Sequence, residues 1–165
     1  VTEQVRRDLP EVLFVIAGEG PARPSLERAV AKRGLGANVR FVGYLERRTE
    51  LPSCYCAADA FVFASKTETQ GLVLLEAMAL GVPVVGLAEM GTKDVLKEGA
   101  GCRIAPDDVA GFTRVLIALL ADRTAAQALG AVGKAYAATW SEDRMCEAVL
   151  SLYQTLHPEG VLRTA

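Results

Sequence analysis

What the chain lacks bounds its chemistry first. One histidine, His157, occurs in 165 residues, beside Pro158 near the far end, where it reads as a tail residue with neither a base nor a metal role. The cysteines are few as well. Cys54 and Cys56 are separated by one residue, while Cys102 and Cys146 stand alone. Together with a single histidine they supply no zinc-ligand spacing. At least three of the four thiols are expected to be buried as small hydrophobes, and reduced cysteines suit a cytoplasmic address. No apolar run reaches the roughly 18 residues of a transmembrane helix. There is no surplus of positive charge: 18 Lys and Arg stand against 20 Asp and Glu, a net charge of −2. That gives no general electrostatic pull toward nucleic acid or an anionic membrane. The opening residues, Val1 to Arg7, show neither a methionine nor a signal-peptide pattern and read as the interior of something longer.

What is present argues for one folded domain. Hydrophobic residues make up 51% and charged residues 23%, a balance that disfavours disorder and supports a real core. Short apolar runs bounded by turn residues alternate with helical patterns. Val12–Ala17, Val39–Leu45, Ala60–Ala64 and Val82–Leu87 read as strands, with a smaller one at Gly101–Ala105. The continuous runs suit strands covered on both faces. Helices are expected at Pro24–Arg33, Leu51–Ala58, Leu72–Leu80, around Lys93–Lys97, and at Asp107–Ala121, Thr124–Thr139 and Glu142–Leu156. Gly81 stops the helix before it. In the last helix Met145, Val149, Leu152 and Leu156 recur at helical spacing, for core packing or for a surface that has lost its partner. Alternating strands and helices predict an α/β fold, a Rossmann-like doubly wound parallel sheet with helices on both faces. The domain spans residues 1–157, with a fraying tail at 158–165.

In such a sheet ligands bind beyond the carboxyl ends of the strands. Three loops there stand out: Gly18-Glu19-Gly20, Gly43-Tyr44-Leu45 and Ser65 to Gly71. The first is a poor dinucleotide fingerprint, since Pro21 interrupts it and Arg23 replaces the third glycine. The third is more informative. Gly71 stands where loop becomes helix, letting a ligand approach the backbone. The first amides of that helix have no intrahelical partners, and with the helix dipole they suit a diphosphate. Glu68 lies just before the helix and Glu76 just over one turn inside it. Two acceptor-only carboxylates suit paired sugar hydroxyls. Against this, Glu76 could be a solvated helix residue, although Leu74, Leu75, Ala77 and Met78 around it are apolar. Lys66 is balanced between a phosphate contact and a solvated charge; Lys93 and Arg103 read as solvated, and Met78 and Met90 as packing residues.

Glu68 and Glu76, separated by seven residues and followed by Ala77-Met78-Ala79 and Gly81-Val82-Pro83-Val84-Val85, resemble the signature of the group 1 glycosyltransferases. These are retaining enzymes of the two-domain GT-B fold, and the similarity runs from about Val12 to Trp140, with Asp59 and Gly91 also fitting. The resemblance implies that Glu76 binds the nucleotide ribose and Glu68 the transferred sugar, the one catalytic role assigned. It implies donor contacts from Thr69, Gln70 and the backbone of Gly71, Leu72 and Val73, and a backbone bond from Leu45 to the base. No metal and no cofactor are implied, because the helix amides can stabilise the leaving diphosphate; the nucleotide diphosphate-sugar is the donor substrate.

Two departures accompany the resemblance. Thr69-Gln70 stands where many members have Gly-Phe, similar to some glycolipid-forming members. An Arg and a Lys usual on the family's first strand and helix have no counterpart, because the chain starts near the end of that helix. The amino-terminal acceptor domain is likewise expected to lie outside the sequence, so this chain alone is not expected to turn over. Association of the intact enzyme with the inner face of a membrane is left open. Two competing readings are a non-catalytic Rossmann-like binding module, with a merely structural Glu pair, and a nucleotide-sugar epimerase.

Overall fold

The structure, a computed structural model, describes residues 1–156. The tail at 158–165 and His157 lie outside the described residues. In chain order the elements are α1 (Thr2–Asp8), β1 (Phe14–Ala17), α2 (Arg23–Lys32), β2 (Val39–Gly43), α3 (Glu50–Cys56), β3 (Phe61–Phe63), α4 (Leu72–Ala79), β4 (Val84–Gly86), α5 (Thr92–Val95), β5 (Cys102–Ile104), α6 (Val109–Ala121), α7 (Arg123–Ala138) and α8 (Glu142–Leu156). Every strand pairing is parallel, as helical crossovers require. The strands form two groups, β1-β2 and β3-β4-β5. Phe14 stands opposite Val39 in the first; Phe61, Val84 and Cys102 are in register across the second.

β4 organises the core. Its consecutive residues Val84 and Val85 are both fully buried and belong to different clusters, because successive side chains of a strand point to opposite faces. On the Val84 face pack Tyr55, Leu74, Met78, Val95 and Ala137. On the Val85 face pack Val5, Leu87, Phe112, Leu116 and Leu129. Helices therefore cover both faces, as the alternating pattern predicts.

The helix ends follow from local chemistry. Gly81, at φ 79°, closes α4: its N–H donates to Met78 O and that of Val82 to Ala77 O, satisfying carbonyls that the last turn leaves free. Asp108 and Asp122 cap α6 and α7 by accepting from the amides of Gly111 and Ala125. Asp107 is thereby left outside α6, which starts two residues later than expected.

Several expectations are corrected. Only Cys102 of the four cysteines is buried; Cys54 is half-buried, and Cys56, at the end of α3, and Cys146, on the unburied α8, are exposed. Met90 is not a packing residue. It is 56% exposed at φ 45°, on the turn into α5. β1 is not covered on both faces, since Val15 and Ala17 are exposed while Phe14 and Ile16 are half-buried. β2 ends at Gly43, which places Leu45 in the following loop. α8 buries none of its residues, and Met145, Leu152 and Leu156 are exposed, so it does not pack on the core. No single described helix is long and apolar enough to cross a membrane.

Candidate donor site

The loops at the carboxyl ends of the strands are bonded to one another. Gly18, after β1, donates its amide to Gly43 O at the end of β2, 2.7 Å away. Gly91, after β4, donates to Glu68 O in the loop after β3, 3.1 Å away. Lys66 pairs with Asp107, the residue that follows β5 by three, at 2.5 Å. The Lys66 ammonium is exposed, and its partner is a carboxylate of the protein.

The loop from Ser65 to Gly71 is held from beneath. A Cβ on Gly91 would stand 2.0 Å from Thr69 O, so only glycine permits this approach of the two loops. Thr92, fully buried, fixes the segment carrying Gly91: its hydroxyl accepts from the Glu89 amide and shares its proton between Leu87 O and Glu89 O. Gly71 adopts φ 73°, at the entrance to α4, with Val95 and Leu74 close against the place a side chain would occupy.

The two carboxylates have the same chemistry and different surroundings. Glu68 turns back on its own loop, where Oε1 accepts from the amides of Gln70 (2.9 Å) and Gly71 (3.0 Å). These bonds, that of Gly71 foremost, hold its carboxyl below the ordinary range. Its Oε2 accepts no hydrogen bond among the described residues. The next amides, of Leu72 and Val73, belong to the first turn of α4 and lack intrahelical partners. An anion set against them would meet the positive end of the helix dipole. Glu68 has therefore taken the amides of Gln70 and Gly71, and those of Leu72 and Val73 remain without intrahelical partners.

Glu76 lies about 7.5 Å further along the helix axis, five residues from Gly71 at the usual rise. Arg47 donates to its Oε1 at 2.9 Å, and the Tyr55 hydroxyl donates to its Oε2 at 3.4 Å. Its side chain is 32% exposed, so it is neither buried nor freely solvated. Burial first, then the charge of Glu76, pushes the Tyr55 hydroxyl up to about 12. Arg47, Leu51, Pro52, Tyr55, Glu76 and Leu80 line a hollow of about 220 Å³. On the neighbouring side of α3, a hollow of about 500 Å³ is lined by Val42, Leu45, Thr49, Glu50, Ser53 and Cys54. Leu45 therefore borders the larger hollow and Glu76 the smaller. Glu46 shapes the rim between them by accepting from the amides of Arg48 and Thr49.

The sequence reading missed Arg47 and Tyr55. Arg47 sits in a polar loop with a second arginine beside it, and nothing in its spacing singles it out. Tyr55 falls at helical distance from Leu51 and reads as core; only the fold shows its hydroxyl reaching Glu76. Among the described residues no group of three His, Cys, Asp or Glu side chains is placed to hold a metal.

A parallel α/β domain with helices on both faces fits the Rossmann-like fold of the GT-B glycosyltransferases. The sequence matches the family model described as glycosyl transferases group 1 over residues 1–136, and the chain belongs to that family. It is 35% identical over 132 residues to a sulfoquinovosyl transferase of Arabidopsis thaliana, covering 78% of this chain and 25% of the relative. It is 31% identical over 160 residues to a GDP-mannose-dependent phosphatidylinositol monomannoside mannosyltransferase of Corynebacterium glutamicum, covering 92% and 41%. Among solved structures, sucrose-phosphate synthase of Thermosynechococcus elongatus superposes with a TM-score of 0.75 at 25% identity, over 96% of this chain and 42% of that one. The pneumococcal O-GlcNAc transferase GtfA, solved with UDP and GlcNAc, superposes with a TM-score of 0.78 at 20% identity, over 94% and 32%. This chain thus spans a quarter to two fifths of the length of these relatives.

Proposed function

We propose that this chain is the donor-binding half of a retaining glycosyltransferase, which moves a hexose from a nucleotide diphosphate-sugar to an acceptor held by another domain. The observation that supports the reading is the placement of Glu68 just before α4 and Glu76 within it, with the unpartnered amides of Leu72 and Val73 between them in the chain. In this reading Glu76 exchanges its Arg47 and Tyr55 partners for the ribose hydroxyls. The outward amides receive the diphosphate, and the free oxygen of Glu68 accepts from the sugar hydroxyls. The base lies in the hollow bordered by Leu45. As the bond to the anomeric carbon breaks, negative charge grows on the diphosphate, where preorganised amides stabilise it without reorganising.

The acceptor in this reading is a glycolipid or polysaccharide, in keeping with the Corynebacterium glutamicum relative, which is named for a phosphatidylinositol monomannoside. The reading places the intact enzyme in the cytoplasm, at or near the inner face of a membrane. The test is calorimetry of the chain with UDP, GDP and ADP. One of the three should bind with a measurable heat that Glu76→Ala abolishes. Equal heats in the variant, or no discrimination between the diphosphates and inorganic phosphate, would remove the donor site.

A further inference from the structure

Met90 is the one non-glycine residue with a positive φ, 45°, among the described residues. A side chain in the left-handed region crowds its own backbone, a cost that glycine escapes. Such a residue persists only where its surroundings dictate the conformation, and they do so here. On one side, the carbonyl of Glu89 accepts from the amide and the hydroxyl of buried Thr92, and the Glu89 amide donates back to that hydroxyl. On the other, Gly91 donates to Glu68 O and lies too close to Thr69 O to carry a side chain. The carbonyl of Met90 itself accepts from the Lys93 amide. All of these bonds are made by the backbone or by Thr92, and none by the Met90 side chain.

That side chain does not belong to the core either. It is 56% exposed and lies outside both apolar clusters. An exposed apolar residue is common by itself; one held in a turn that suits glycine is not. Its place is at the carboxyl end of the sheet, where an α/β fold receives its ligands. The loop it occupies is bonded to the Glu68 loop, and its immediate neighbour Gly91 makes that bond. Leu72, 51% exposed, follows the Glu68 loop in the chain. The loop that carries the free oxygen of Glu68 therefore has exposed apolar residues both after it in the chain and on the loop beside it.

A hexosyl group needs both kinds of partner. Its hydroxyls suit an acceptor-only carboxylate, and its C–H faces suit an apolar side chain. Methionine fits such a face well, because three rotatable bonds and a polarisable sulfur let it adapt to the surface offered. We infer that Met90 is a specificity-determining residue for the transferred sugar: its thioether packs on a C–H face of the hexosyl group while Glu68 takes hydroxyls. The inference rests on the donor reading and deepens it. It gives the strained turn a reason, since glycine would hold the loop as well and leave the sugar without this wall. The nucleoside diphosphate, which in that reading is bound by α4 and the Leu45 hollow, does not touch Met90.

Calorimetry with three pairs of probes tests it: UDP and UDP-glucose, GDP and GDP-mannose, ADP and ADP-glucose. Within a pair, the ratio of the two Kd values measures what the sugar adds. For the pair that the unmodified chain binds, Met90→Gly should cut that ratio at least about fivefold and leave the Kd of the diphosphate within about twofold. Met90→Leu, which restores apolar volume, should recover most of the loss. Circular dichroism should show the glycine variant folded, since glycine adopts this turn without crowding. Should it fail to fold, Met90→Asn, polar and at home in left-handed turns, is read by the same ratio. A ratio unchanged in the variant, or a loss shared equally by the diphosphate, would overturn the inference and leave the donor reading in place. So would a ratio of one in the unmodified chain. Binding of none of the three diphosphates would instead remove the donor reading, and the inference with it.

Discussion

β4 and β1 are both short, parallel and apolar, and they end differently. Val84, Val85 and Gly86 are all buried; in β1 the exposed Val15 and Ala17 alternate with half-buried neighbours. Composition does not separate them. Position in the sheet does, since β4 has a strand on each side and helices above and below, while β1 has one partner. The same apolar run therefore holds much stability in one place and little in the other. A strand's contribution is set by how many neighbours remove it from water.

The sharpest way to break that comparison is to cut side chains in both regions. Leu74, fully buried against the β4 core, should cost about 2–5 kcal/mol as Leu74→Ala. Leu13→Ala, at a half-exposed position before β1, should stay within about 0.5 kcal/mol. Urea unfolding monitored by circular dichroism measures both, and similar losses would mean that the two regions are not distinct.

A second contrast sets two loop glycines side by side. A methyl on Gly91 would collide with Thr69 O, so Gly91→Ala should cost about 1–3 kcal/mol by overpacking. It should also weaken nucleotide binding roughly tenfold, the equivalent of about 1.4 kcal/mol of misplacement at the donor loop. Gly20→Ala, with open space around it, should change neither property appreciably. Thermal melts and a UDP titration of the two variants give the comparison.

Tyr55→Phe keeps the ring in the core and removes the bond to Glu76, at an expected cost of about 0.5–1.5 kcal/mol. Its signature is alkaline. The folded Tyr55 hydroxyl is pushed up to about 12, above the unfolded value near 10. The native state thus holds the proton more tightly, and this stability is complete below about pH 10 and lost as the pH rises toward 12. Stability across that window should fall less steeply in the phenylalanine variant, and an unchanged slope would remove Tyr55 as the source.

The smallest effect concerns Glu68. Its carboxyl is held below the ordinary range by loop amides, so its contribution is present above the unfolded value and is lost as the pH falls through the lowered folded one. The amide shifts of Gln70 and Gly71 should titrate together on the acid side, and Glu68→Gln should abolish that inflection.

The parallel α/β class, the helix starting at Leu72 and the stop at Gly81 were all legible in the sequence, because periodicity and glycine placement are local signals. Glu68, Gly71 and Glu76 are grouped by the sequence as one donor site, a role that nucleotide titration tests. What escaped depends on neighbours distant in sequence. Arg47 reaches Glu76 across 29 positions, and Tyr55 across 21. The exposure of Val15 depends on which strand lies beside it. Met90 was misread as packing because its hydrophobicity was visible and its turn was not.

The most direct measurement is an amide NMR map of the chain as UDP is added. The account predicts concerted movement of Leu45, Gly71, Leu72 and Val73, with the Arg47 side chain released as Glu76 is engaged. Perturbations clustered on α8 or along the outer face of β2, with those four amides still, would contradict it.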